Sequence, residues 1–145
     1  MQKIWRLLGI LVVSLLFTAC GGRAAAESAK AERITCTAAY RSSVEVGSEQ
    51  EDIFTFTDTD DELWATLGEL MFHAAYDAGG ADNERNLRVW VTDAADTAVY
   101  HSTLYQLPLD SGPQNQFVGG HGFTGLSYSY APDSSAELQY WCTAD

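Results

Sequence analysis

From Ile34 to the C-terminus, apolar and polar side chains alternate in short runs separated by polar clusters. Ile34, Cys36, Ala38 and Tyr40 alternate with Thr35, Thr37, Ala39 and Arg41, and Leu138, Tyr140 and Cys142 alternate with Gln139, Trp141 and Thr143. A period of two puts each apolar set on one face of a strand, because successive side chains of an extended chain point to opposite sides. Similar runs predict strands at about 34–44, 51–57, 69–77, 86–93, 97–106, 122–131 and 137–143. Leu87 to Thr92 and Thr97 to Tyr105 flank Asp93-Ala94-Ala95-Asp96, which predicts a hairpin. About seven short strands at this spacing predict a mainly β fold, an antiparallel sandwich or a flattened barrel. Some runs are apolar on both faces, as where Val89 and Val91 oppose Trp90.

One segment carries two patterns. Thr59-Asp60-Asp61-Glu62 has the form of a helix capping box, and Leu63, Leu67, Leu70, Met71 and Ala74 recur at helical spacing. Leu70, Phe72, Ala74 and Tyr76 alternate as in a strand. With Gly68 as the divider, the expectation is one short helix near 60–67 followed by a strand.

The first 19 residues have a different texture. Lys3 and Arg6 precede an uncharged apolar run from Leu7 to Ala19. That run is short for a helix crossing a bilayer and has the proportions of a signal-peptide core. It ends in Leu15-Leu16-Phe17-Thr18-Ala19-Cys20-Gly21-Gly22, which resembles the lipobox of bacterial lipoprotein precursors, with Phe17 where Leu is usual. The resemblance covers residues 1–22. It implies cleavage before Cys20, fatty-acyl chains (palmitate among them) on that cysteine, and a membrane as partner through the lipid. Two or three chains hold a protein stably where one does not, at about 0.8 kcal/mol per buried methylene. An Asp after the cysteine resembles an inner-membrane retention signal; Gly21 stands there instead, so an outer membrane is favoured where the host has one. Residues 20–33 contain no bulky apolar side chain after the cysteine and read as a tether. The division expected is 1–19 signal, 20–33 lipidated tether, 34–145 one β domain.

Composition sharpens this picture. Lys3 and Arg6 leave with the signal and no acidic residue does, so the formal charge goes from −12 to −14 over the remaining 126 residues. Such a chain repels nucleic-acid phosphates, which excludes DNA and RNA as partners. Assigning Cys20 to lipid leaves Cys36 and Cys142, both on the inward-facing side of a first and a last strand. In an exported, oxidising setting they are expected to form a disulfide; two free buried thiols are the alternative.

Candidate chemistry is sparse. Asp58, Asp60, Asp61 and Glu62 could offer oxygens to calcium, but the glycine and distal Glu of an EF-hand loop are missing, and a solvated turn or helix start, with Thr59 and Glu62 capping, is the preferred explanation. A long segment from Leu107 leads into Gly119-Gly120-His121-Gly122-Phe123-Thr124-Gly125; it matches no nucleotide-binding loop. Long ordered loops often carry function, which makes Gln114, Asn115, Gln116, His121 and Phe123 the candidate binding loop. His73, His101 and His121 show no metal-ligand spacing, and no hydrolase motif is present. Tyr128 and Tyr130 share a strand face and would form an aromatic shelf if that face is exposed. The resulting expectation is a lipid-anchored, extracytoplasmic, non-catalytic domain without a cofactor, binding a protein or a glycan. A small metal-dependent or carbohydrate-active enzyme and a ligand-free structural lipoprotein are the alternatives.

Overall fold

The computed structural model describes residues 33–57, 61–79, 85–108 and 111–145. Cys20, the signal, the tether up to residue 32, and Asp58 and Asp60 lie outside the described residues. Among the described residues eight strands follow in order: β1 Ile34–Arg41, β2 Gln50–Phe56, β3 Asp61–Leu67, β4 Leu70–Asp77, β5 Asn86–Asp93, β6 Val99–Gln106, β7 Ser127–Tyr130 and β8 Glu137–Ala144. They form two four-stranded antiparallel sheets, ordered β2-β1-β8-β7 and β3-β4-β5-β6. The sheets pack face to face as a sandwich, not a closed barrel.

The core is the alternating set expected. Ile34, Cys36, Ala38 and Tyr40 of β1 and Leu138, Tyr140 and Cys142 of β8 are buried against Phe72, Leu87, Val89 and Val91 of the facing sheet. Phe72 lies at its centre, 5.0 Å from the Phe54 ring and 5.5 Å from that of Tyr140. Cys36 and Cys142 sit directly opposite each other on β1 and β8 and form a disulfide, with Cα atoms 4.0 Å apart. The Cys142 N–H donates to Thr124 Oγ1 and its carbonyl accepts from Phe123 N–H. Its main chain therefore faces away from β1, which makes the cysteines a non-hydrogen-bonded pair, the kind in which strands approach most closely. A link spanning about 100 residues removes on the order of 4–5 kcal/mol of unfolded-state entropy.

The short helix near 60–67 does not form; Asp61–Leu67 is strand β3 and supplies the eighth strand. Leu63, Ala65 and Leu67 point toward the core while Glu62, Trp64 and Thr66 point to solvent. A helix would bury Leu63 and Leu67 but leave β4 without its edge partner. The divider instead makes a two-residue hairpin. Leu67 pairs with Leu70, and Gly68 takes φ +58° at the first turn position, where glycine is favoured. Its N–H donates to Gln50 Oε1 at 3.0 Å, and a Cβ on it would land on the Tyr40 ring.

The β5–β6 hairpin forms as expected and is organised by Asp93. Its carboxylate accepts from Thr97 N–H (2.6 Å), Ala98 N–H (2.7 Å) and the Thr97 hydroxyl (2.7 Å). The Thr97 hydroxyl first, then these amides, hold the Asp93 carboxyl below its ordinary range. The turn also brings Asp96 Oδ1 to 3.3 Å from Nε2 of His73, whose ring is buried and stacked 4.7 Å from Trp90. Between Val91 and Thr92 the pairing skips Tyr100, a bulge that leaves His101 facing inward and Val99 on the outer side.

Gly68→Ala is expected to lower unfolding free energy by about 1–3 kcal/mol in urea titrations, from left-handed backbone and overlap with Tyr40. Gly47→Ala, where a Cβ meets nothing within 4 Å, serves as the near-neutral control. The Asp93 carboxylate's contribution is present above the ordinary aspartate pKa and fades as pH falls through the depressed folded value. Thermal melts should show Asp93→Asn separated from wild type near pH 7, the gap narrowing toward pH 3.

Candidate functional site

After β6 the chain leaves one sheet and returns to the other at β7, and the crossing segment builds the site. Its course is fixed by hydrogen bonds to the side of β8 that β1 does not use. Asn115 makes a pair with Ala144: Nδ2 donates to the carbonyl at 2.6 Å and Oδ1 accepts the N–H at 3.0 Å. Gly122 lies against the Cys142 carbonyl at φ +63°, where any Cβ would strike that oxygen. Gln116 and Phe117 both donate their N–H groups to the Gly122 carbonyl at 3.1 Å, closing the loop on itself. The glycines at 119, 120 and 125 also have positive φ.

The crossing segment and the end of β6 enclose an open cleft of about 480 Å³. Leu104, Tyr105, Gln106, Leu107 and Pro108 form one wall; Pro113, Gln114, Gln116 and Phe123 form the other. Beneath it, Phe123 packs edge-on to Tyr105 at 6.2 Å. The Tyr140 hydroxyl, buried and next to the Tyr105 phenol, is pushed well above the usual tyrosine range and stays protonated. The lining carries amides, one phenol and apolar surface, and no charged side chain. It suits a neutral ligand with backbone-like polar groups.

The expected loop residues thus take different places. Gln114, Gln116 and Phe123 line the cleft, while Asn115 ties the loop to β8. His121 lies apart, its Nδ1 3.1 Å from the Val118 carbonyl and its ring edge-on to Trp141 at 5.4 Å. Sequence reasoning missed Leu104 and Gln106, the β6 side of the cleft; a strand end flowing into Pro108 was the available signal. Asp61 and Glu62 are exposed on β3, and among the described residues no group of three or more His, Cys, Asp or Glu side chains is placed to hold a metal. His73, His101 and His121 are likewise not brought together. Tyr128 and Tyr130 do face solvent, 44% and 54% exposed. Tyr130 lies beside a half-buried ion pair in which the buried Glu137 Oε1 accepts from Arg41 Nη2 at 2.7 Å and Nε at 2.9 Å. Its hydrogen bond to Glu137 raises the Tyr130 hydroxyl's pKa.

No protein-family model, curated protein or solved structure matches the chain.

Asn115→Ala removes both bonds to Ala144 and is expected to cost about 1–2 kcal/mol, given the exposure of the site. Hydrogen exchange should show the Ala144 amide losing protection in the variant while the central β8 amides keep theirs.

Proposed function

We propose that the chain is a lipid-anchored, extracytoplasmic binding domain without catalytic activity, whose ligand is an uncharged stretch of polymer, peptide or glycan, held in the cleft between β6 and the 113–123 segment. The cleft lining carries the reading: three glutamine amides and apolar surface, with no carboxylate, imidazole, hydroxymethyl or thiol among the residues that form it. Anchoring is supported by the lipobox resemblance at Cys20 and by a disulfide of the kind that persists in oxidising compartments. The domain enters its first strand at Arg33, whose main chain pairs with Asp145 beside the Asn115 clamp. The cleft segment therefore sits near the tethered end.

A second reading rests on the exposed Tyr128 and Tyr130, which would stack a glycan on the outer face of β7. Peptide and glycan arrays probed with the full chain distinguish the two. Signal abolished by Gln114→Trp, which fills the cleft, supports the cleft; signal abolished only by Tyr128→Ala with Tyr130→Ala supports the shelf. Intact-mass analysis of membrane-extracted protein is expected to show loss of residues 1–19, acyl chains on Cys20 and two hydrogens missing for the disulfide. A full-length start with three reducible thiols would refute the anchoring.

A further inference from the structure

We infer that the cleft takes its ligand by strand addition: an extended, non-acidic peptide segment of a partner protein pairs with the free edge of β6. This deepens the cleft reading above and rests on it. The direction of the β6 main chain is fixed by one bond. Leu107 N–H donates to the Arg85 carbonyl at 2.9 Å, directly across the β5–β6 register. Hydrogen-bonded pairs recur at every second residue of an antiparallel ladder, so Tyr105, Thr103 and His101 also face β5. Ser102, Leu104 and Gln106 must then point their N–H and C=O groups away from the sheet. Among the described residues no strand pairs with β6 on that side, and Leu104 and Gln106 line the cleft there. Two donors and two acceptors thus stand along one wall, at the spacing an incoming strand requires.

Natural edge strands are usually blunted by lysine, proline or shortness. Val99–Gln106 is eight residues long, contains no charge and no proline, and leaves Val99 and Leu104 about 60% exposed. Its one protective device, the bulge at Tyr100, lies at the far end from the cleft. Opposite the open edge, Gln114 and Gln116 offer amides that match a peptide's own groups, and Phe123 and Pro113 supply the apolar contact. Strand addition uses this combination of ladder bonds and flanking pockets.

Charge selects the occupant. From Ile34 to Asp145 the basic side chains are Arg41, Arg85 and Arg88 against eighteen carboxylates, a formal charge of −15. Two copies approaching edge to edge would repel, and an acidic segment would be rejected. A neutral segment, or one flanked by lysine or arginine, would be drawn in.

The test uses twelve-residue peptides selected from a random displayed library against the full chain in detergent. Selected peptides should be neutral or basic and alternate in side-chain character. N-methylation at successive peptide positions should weaken binding at every second one by about tenfold each. Leu104→Pro, which deletes an outward N–H that β5 does not use, should weaken binding by at least about tenfold, whereas Leu104→Ala keeps it within a few-fold. Amide exchange at Leu104 and Gln106 should slow on binding, with Thr103 and Tyr105 already slow in the free chain. If Leu104→Pro unfolds the domain, the N-methyl series decides. Absence of enriched peptides, or binding indifferent to N-methylation, overturns strand addition. A glycan signal lost in Gln114→Trp would then leave the cleft reading standing, and peptide binding by a non-acylated chain would leave strand addition standing without the anchor.

Discussion

Strand β8 must satisfy main-chain hydrogen bonds on both of its sides, and the architecture follows from how it does so. On one side it pairs along its whole length with β1, the strand farthest from it in sequence. On the other, β7 covers Glu137 to Tyr140. The remainder is met by pieces of the crossing segment: Thr124 and Phe123 at Cys142, and the Asn115 side chain at Ala144. Buried main-chain groups left unpaired are expensive, so this half-strand requirement dictates the path of the loop. The loop in turn becomes the second wall of the cleft. One ladder thus connects the disulfide, the core and the candidate site.

The charge distribution is arranged around that ladder. Among the described residues the hydrophobic cluster between the sheets holds no Asp, Glu, Lys or Arg, and most acidic side chains are exposed on β2, β3 and the turns. The exception is Glu137, buried on the outer face of β8 and neutralised by Arg41 with help from Gln139 at 2.6 Å. Leaving this carboxylate buried and unpaired would be costly, and its partner Arg41 sits directly across from it in the β1–β8 register. Within so acidic a shell, the neutral cleft and the uncharged β6 stand out as surface the domain leaves free of repulsion.

Much of the fold was legible in the sequence because two-layer burial leaves a strict signature. The alternation around Cys36 and Cys142 placed both sulfurs inward, and the Asp93–Asp96 turn marked its hairpin. The segment 61–67 was misread because Leu63 and Leu67 satisfy helical and extended spacing together. What resolved it was the vacant edge of β4 and the left-handed turn at Gly68, both properties of the assembled sheet. The loop singled out in the sequence contributes Gln114, Gln116 and Phe123 to the cleft lining, yet the role of Asn115 was invisible: its partner, Ala144, is 29 residues away and contributes only main-chain atoms. The bulge at Tyr100, which reverses the facing of Val99, left no trace in the alternation either.

The sequence by itself determined the class of fold, the inward faces of the terminal strands, the acidity of the surface and the resemblance that points to a lipid anchor. These depend on local pattern and composition, which need no knowledge of neighbours. Strand order, the choice of strand over helix at β3, and the meeting of β6 with the crossing segment were decided by tertiary structure. Each depends on which main-chain groups remain unpaired once the sheets have formed, and that is a property of pairing between distant segments, carried by atoms every residue shares.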